Sequence, residues 1–310
     1  MSGLTDSLPR RTAPLPGRAA ASGALLLATA AWGSTFVVTK SALSELPPAS
    51  FLSWRFGLAA LLLLLGSARR TVALSGGDRR RGGVLGILLG VGFLLQTTGL
   101  RDTSAGLSGF LTGSSVVMVP VVASVLFASP VRRSGWVAVG LSAVGLWLLA
   151  SGPGATVSAG ALVTLAGAGC FAGHITALSQ WARPGNALGL TTTSVTVAAA
   201  VCCVAAGATG DLVAPSSTSA WTAVAYLAVV ATCLGLAIQA WAQGVLSAVA
   251  AAVIMTMEPV FAAVLALAFG GESLPPTTWV GGLVVVAAMG VAELGARDCC
   301  DAASPRVECC

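Results

Sequence analysis

The residues with the most chemical potential in this chain are the few polar ones stranded inside long apolar runs. Glu258 lies within the run 246–269, immediately before Pro259. A proline in a helix removes one hydrogen bond and frees the carbonyl four residues earlier, here that of Met255. A carboxyl held there could take up and release a proton, or it could stay protonated and hydrogen-bond a neighbouring helix, and both readings stand. Arg55 sits between Trp54 and Phe56, about seven residues into the run 48–66. That is too deep for its side chain to reach a polar boundary comfortably, which favours a cavity or ion-pair role. Lys40, at the end of the run 20–39, could draw in a carboxylate or phosphate, or simply snorkel to the nearest headgroups.

Uncharged groups add to the set. Gln96 and Gln239 each place an amide in an apolar run, where it can bond a zwitterionic solute or tie two helices together. Trp32 and Phe36, four residues apart, share one helical face and could wall a cavity or pack outward. His174 is the single histidine, mid-run at 159–179, and can titrate near neutral pH or make an interhelical hydrogen bond. Pro120 and Pro259 mark two expected helix kinks.

The elements that hold these groups follow from composition. Of 310 residues, 56% are hydrophobic and 9% charged, and the mean hydropathy is +0.90. A water-soluble domain carries about 25% charged residues, so the outside of this chain faces lipid. Lipid requires every backbone polar group to be satisfied internally, by helices or by a closed barrel. Barrel strands alternate polar and apolar residues, whereas runs such as Leu58 to Leu65 are continuously apolar. Helices are therefore expected: an all-α polytopic membrane protein.

A span needs about 20 apolar residues. Such windows fall at 20–39, 48–66, 82–100, 104–128, 134–151, 159–179, 188–206, 220–240, 246–269 and 275–295, which makes ten transmembrane helices. Breakers separate them, among them Pro47-Pro48, Gly76-Gly77, Pro130, Gly152-Pro153-Gly154, Pro184-Gly185 and Pro275-Pro276. The first run follows Arg10, Arg11 and Arg18, as in a signal peptide, but nine further spans favour an uncleaved helix. With the N-terminus inside, thirteen arginines (10, 11, 18, 69, 70, 79, 80, 81, 132, 133, 183, 297 and 306) collect on the cytoplasmic side, against Lys40 and Arg101 outside. This asymmetry places both termini in the cytoplasm. It also explains the net charge of +5 without nucleic acid.

The chain repeats itself. Gly92 and Gly235, Gln96 and Gln239, Ser104 and Ser247, and Trp136 and Trp279 are each 143 residues apart, and Pro120 and Pro259 are 139 apart. Five spans per half is an odd number, so the halves enter the membrane in opposite directions. Inverted repeats of this kind place a solute site near the midplane between them. The expected organisation is a tail at 1–19, one repeat at 20–151, a second at 159–295 and a tail at 296–310. Gly86, Gly90, Gly106, Gly109 and Gly113 are expected to let helices approach closely.

Several local motifs together resemble the EamA-type branch of the drug/metabolite transporter superfamily. They are Trp32-Gly33-Ser34-Thr35-Phe36 with Lys40, Pro47-Pro48 and Trp54-Arg55-Phe56; Thr103-Ser104-Ala105-Gly106 with Phe110-Leu111-Thr112-Gly113 and Val119-Pro120; and Met257-Glu258-Pro259-Val260-Phe261 with Gly271-Glu272. The likeness covers roughly 20–295. Two departures stand out: Ala128-Ser129-Pro130 where the family often has Gly-Glu, and Phe171-Ala172 as the second-half counterpart of Trp32-Gly33. The resemblance implies ten helices in two five-helix repeats and secondary transport of amino acids, related metabolites or drugs. From the family's better-known members it implies export in preference to import. The cavity would be lined mainly by the first, third, fourth, sixth, eighth and ninth spans. Solute contact falls to Trp32, Phe36, Lys40, Arg55, Gln96, His174 and Gln239, and proton coupling to Glu258.

Partners on this reading are a small solute and the lipid bilayer of a bacterial inner membrane, with a homodimer allowed but each monomer able to work. No cofactor or metal is expected. Of the eight cysteines, Cys170, Cys202, Cys203 and Cys233 lie in apolar runs, and the tail pairs Cys299-Cys300 and Cys309-Cys310 have no zinc-motif spacing. No P-loop appears, which argues against drive by ATP. Two rivals belong to other classes. One is a receptor or scaffold that moves no solute. The other rests on Gly106-Leu107-Ser108-Gly109 and His174, which resemble the serine and histidine of a rhomboid intramembrane protease.

Overall fold

The continuous apolar runs fold as helices, and the breakers between them fall at helix ends. The structure, a computed structural model, describes residues 17–103, 105–129, 131, 133–150, 158–270 and 276–302. Among these, the helices are α1 (Arg18–Ala42), α2 (Pro48–Val72), α3 (Gly76–Arg101), α4 (Ala105–Gly113), α5 (Ser115–Phe127), α6 (Arg133–Ala150), α7 (Ala159–Trp181), α8 (Ala187–Thr209), α9 (Thr218–Tyr226), α10 (Gly235–Gln243), α11 (Ala248–Met255), α12 (Met257–Gly270) and α13 (Pro276–Ala302). No strand occurs among the described residues. The expected features at Ser104, Pro130, Arg132, Gly152-Pro153-Gly154, Gly271-Glu272, Pro275, Arg10, Arg11, Arg306 and Cys309-Cys310 lie outside what is described, whereas Arg297, Cys299 and Cys300 of the expected tail fall within the helix Pro276–Ala302.

Local chemistry sets the ends. Serine hydroxyls at Ser75, Ser158, Ser217 and Ser247 each accept from the backbone N–H three residues on, at 3.0 to 3.3 Å, and so start α3, α7, α9 and α11. Pro48 opens α2 at the first helical position, where its missing N–H costs nothing. Gly210 closes α8 in the left-handed region at φ 71°, as a helix-ending glycine does. Ala128 closes α5 in the same region at φ 48° without that freedom. It occupies the place where the resembling family often has glycine.

Seven helical stretches are long and apolar enough to cross a bilayer, counting Ser108–Phe127 and Thr218–Gln243 as single spans. The other three expected spans fall where helices are interrupted or only partly described: 134–151, 246–269 and 275–295. Two expected kinks are displaced. The break in the ninth run falls at Thr256, between α11 and α12, which leaves Pro259 in the first turn of α12, where proline is tolerated. The break in the fourth run falls at Ser114, with Pro120 inside α5. Ser114 and Thr256 are thus near-equivalent positions of the two halves. The eighth run also departs from a plain helix: Leu227–Leu234, between α9 and α10, is π-helical.

The halves interleave. The closest helix pairs are α3 with α7, α2 with α8, α6 with α13 and α3 with α8, each joining one half to the other. Among lipid tails no hydrophobic gain holds helices together, so close approach by small residues has to. A Cβ on Gly86 would lie 2.5 Å from the Ser194 carbonyl, and one on Gly90 3.1 Å from Ala198 Cα. Both glycines therefore do what their spacing predicts. Gly113 backs onto Leu146 in the same way, at 3.1 Å. Large apolar side chains such as Leu27, Leu65, Val125 and Val204 point outward, the inverse of a soluble protein's surface.

Candidate functional site

A chamber lies where the two halves meet, with about 620 Å³ of empty space, of which about 90 Å³ is open to the centres of water molecules. That is room for several waters or a small solute. Its wall draws on α1, α2, α3, α4, α5, α7, α10, α11 and α12. Six of the sequence-selected residues line it: Trp32, Arg55, Gln96, His174, Gln239 and Glu258.

Arg55 is buried. Its Nε donates to Thr232 Oγ1 at 3.0 Å, and its guanidinium carbon stands 4.7 Å from the ring centre of Phe93 and 5.4 Å from that of Phe56. These rings continue as a file: Phe56 to Phe93 at 5.2 Å and Phe93 to Phe171 at 5.1 Å, edge to face. Aromatic faces attract a cation more strongly once it is desolvated, so the file helps keep an arginine inside the bundle. The terminal guanidinium nitrogens donate to no described residue and remain free for the chamber.

Thr232 is available because of the π-helix. Its hydroxyl donates back five residues to the Leu227 carbonyl at 2.9 Å, the longer reach of π geometry. One residue before it, the Ala231 carbonyl accepts from Trp32 Nε1 at 2.8 Å. The indole also lies against Gly235, where a Cβ would come within 2.6 Å of Nε1. The other half does the same thing: a Cβ on Gly92 would lie 2.8 Å from the Phe171 ring. Trp32 on Gly235 and Phe171 on Gly92 exchange under the repeat, so the two halves are related about the chamber.

The paired amides are used differently. Gln96 Nε2 donates to Thr112 Oγ1 at 2.9 Å and ties α3 to α4. Gln239 makes no side-chain hydrogen bond among the described residues, and neither do the Glu258 carboxylate and the His174 ring. Nor do Arg55 and Glu258 form an ion pair among the described residues, although both line the one cavity. Arginine, carboxyl, amide and imidazole thus converge on one space with most of their bonding capacity unspent.

Two selected residues lie elsewhere. Phe36 is buried beside Gly109, one turn past Trp32, and is not on the chamber wall. Lys40 Nζ donates to the carbonyls of Leu100 (2.5 Å), Arg101 (3.0 Å) and Thr103 (2.8 Å), closing the end of α3. A cation there satisfies carbonyls that the helix leaves open. Ser108 is fully buried, has no hydrogen-bond partner and is absent from the chamber wall, so no Ser108–His174 dyad forms among the described residues. Sequence reading missed Phe93, Thr112, Thr232 and the π-helix. Phe93 and Thr112 carry no charge to single them out, and nothing in an apolar run such as Leu227–Leu234 distinguishes π from α.

An all-helical bundle with an apolar exterior and a polar chamber between two related halves has the build of a membrane transporter. The EamA-like transporter family matches residues 20–151 and 158–292, and the chain belongs to that family. An uncharacterized transporter of Archaeoglobus fulgidus is 28% identical over 273 residues, covering 87% of this chain and 84% of its own. A protein of known crystal structure superposes with a TM-score of 0.73 at 17% identity, over 91% of this chain and 99% of that one, which shows the shared fold.

Proposed function

We propose that this protein is a secondary transporter that carries small organic solutes through the chamber by alternating access. The solutes are amino acids, related metabolites or drugs, and the direction is export. The observation that carries this reading is the unspent set facing the chamber: Arg55, Glu258, Gln239 and His174. Polar groups inside a bilayer are costly, and those left unpartnered by the protein await a ligand or water. A guanidinium and a carboxyl on one cavity without a mutual ion pair suit a solute that bears both charges.

In this account ten spans form two inverted five-helix repeats in a bacterial inner membrane, with both termini cytoplasmic and each monomer competent. Rocking of one set of helices against the other opens the chamber to one side at a time. The pseudo-symmetric breaks at Ser114 and Thr256 supply two joints for that movement. Glu258, accessible to the chamber and preceding Pro259, takes up a proton on one side and releases it on the other.

A thermal-shift screen of the purified protein with amino acids, nucleosides and cationic drugs identifies the ligand class, because binding to the folded state raises apparent stability. Flux of the ligand found, measured in proteoliposomes with imposed pH gradients, then tests coupling. Glu258→Gln is expected to lose the response to the gradient. Wild-type behaviour of this variant at every pH and gradient sinks the proton-coupling claim.

A further inference from the structure

A second, smaller cavity adjoins the chamber. Leu85, Leu178, Leu190, Thr191, Ser194 and Ala240 line it, and it shares His174 and Leu236 with the chamber. The accessible space is about 10 Å³, enough for about one water molecule. His174 is therefore the partition between the two spaces and faces both.

The small cavity has a direction. Leu178 lies one turn from the end of α7, Thr191 one turn into α8, and Ala240 one turn from the end of α10. Arg183, in the α7–α8 connection, and Arg79 to Arg81, in the first turns of α3, stand at this same end of the bundle, which the proposed topology makes cytoplasmic. Gln96 and Arg55 lie toward the opposite helix ends. The small cavity thus extends the chamber inward.

Its polar lining is incomplete in an informative way. Ser194 is 3% exposed, and its hydroxyl has no hydrogen-bond partner among the described residues. Other hydroxyls on α8, those of Thr191, Thr192, Thr193 and Thr196, each donate to the carbonyl four residues earlier, at 2.8 to 3.0 Å. Buried polar groups left without a protein partner are where buried waters bind. The His174 ring is also without a partner among the described residues.

We propose that Ser194 and His174 hold one water molecule between them, and that this water and the His174 ring form the inner leg of the path by which protons leave the chamber for the cytoplasm. This rests on the proton-coupled reading above. In the inward step, one ring nitrogen of neutral His174 takes the proton that Glu258 releases through a chamber water, leaving the carboxylate to be reloaded from outside, and the imidazolium formed gives up the proton on its other nitrogen to the buried water. The buried water passes a proton on to the cytoplasmic side through the hydroxyls of Ser194 and Thr191. The ring then flips to restore its tautomer. The charged groups facing His174 are Arg55 from α2 and Glu258 from α12, both across the chamber, and Cys170 is the ionisable group one turn earlier on α7. The helices around the small cavity contribute no other ionisable side chain to its lining.

Because His174 is the only histidine, histidine-specific ¹⁵N labelling of the full chain in lipid nanodiscs gives one set of ring signals. The expected result is magnetisation transfer between the ring N–H and a long-lived water, lost in Ser194→Val and weakened in Ser194→Ala. The alanine variant removes only a hydroxyl that bonds no protein group, so it keeps the fold if valine does not. Absence of water contact in the wild type, or contact unchanged in the folded variants, overturns the site. A pH dye trapped in proteoliposomes, with a mixture of L-amino acids as probe, reads the relay. Solute-driven proton movement is expected to fall on the order of tenfold in Ser194→Val, and an unchanged rate overturns the relay. If the wild type moves no probe while the water contact is present, the site stands and the transport reading is what fails.

Discussion

Gly33 offers a test of the helix packing that builds the chamber. It is the point where α1 meets α12, the helix that carries Glu258. A Cβ at Gly33 would lie 2.8 Å from Phe261 Cβ, 2.9 Å from the Ala262 nitrogen and 2.9 Å from the Glu258 carbonyl oxygen. Two of these three atoms are backbone and cannot swing aside, and the shortfall from comfortable contact is roughly 0.6 Å or more. Gly33→Ala must therefore push two helices apart, at a cost of about 1–3 kcal/mol. The same substitution gains about 0.5–1 kcal/mol by restricting the unfolded chain and favouring helix. The net expectation is a destabilisation of up to about 2.5 kcal/mol. Gly23, on the same helix, has nothing within 4 Å of an added Cβ, so Gly23→Ala should show only the gain. Unfolding of both variants, followed by tryptophan fluorescence in one detergent, gives the comparison. If Gly33→Ala unfolds at or above the midpoint of Gly23→Ala, the close α1–α12 contact is wrong.

Four further outcomes follow from the geometry. Ala128→Gly should stabilise the protein by about 0.5–1 kcal/mol, because φ 48° at the end of α5 suits glycine better than alanine; the thermal unfolding midpoint checks it. Gln96→Leu should lose its tie to Thr112 and about 0.6 kcal/mol, whereas Gln239→Leu, with no such tie, should leave stability unchanged and weaken solute binding. A double-mutant cycle with Thr112→Val and a thermal-shift titration separate the two. Arg55→Lys should fail to restore solute affinity, since an ammonium cannot both reach Thr232 and lie between two rings as the guanidinium does. At the head of α3, ahead of its apolar run, burial pushes the Asp78 carboxyl up. Hydrogen bonds from Arg81, Ser75 and Asn186 and the charge of Arg81 outweigh this and hold it below the usual carboxylate range. Its contribution is then present above the unfolded carboxylate pKa and lost as pH falls through the lower folded value. Asp78→Asn should remove a sliver of stability, about 0.5 kcal/mol or less, at neutral pH and none in strong acid, read from unfolding midpoints against pH.

Much of the chamber could be read from sequence because charge in an apolar run is conspicuous. Arg55, Glu258, His174 and the two glutamines stand out as polar groups in apolar runs, and the structure brings them to one wall, although Gln96 also ties α3 to α4. The repeat was legible for a related reason: Gly92 and Gly235 each receive an aromatic ring, so neither half tolerates a larger residue there. What escaped was set by packing. Lys40 finds three carbonyls at the end of α3, a partner set defined by where another helix stops. Phe36 shares a face with Trp32 but meets Gly109 instead of the cavity. The break at Thr256 precedes Pro259 because a proline in the first turn costs little, whereas Pro120 stays inside α5 with the break six residues upstream at Ser114. The π-helix at Leu227–Leu234 depends on Trp32 and Arg55 engaging Ala231 and Thr232, contacts made between residues nearly two hundred positions apart.

The central claim is that solute passes through the chamber shared by the two halves. Thr35 lines that chamber from α1 and has been given no polar task, so Thr35→Trp plugs the space without removing a binding group. The decisive measurement is counterflow of a labelled solute, chosen as one the wild type carries, in proteoliposomes of the folded variant. Exchange should fall at least about tenfold when the chamber is filled. Exchange at the wild-type rate through a plugged chamber contradicts the account.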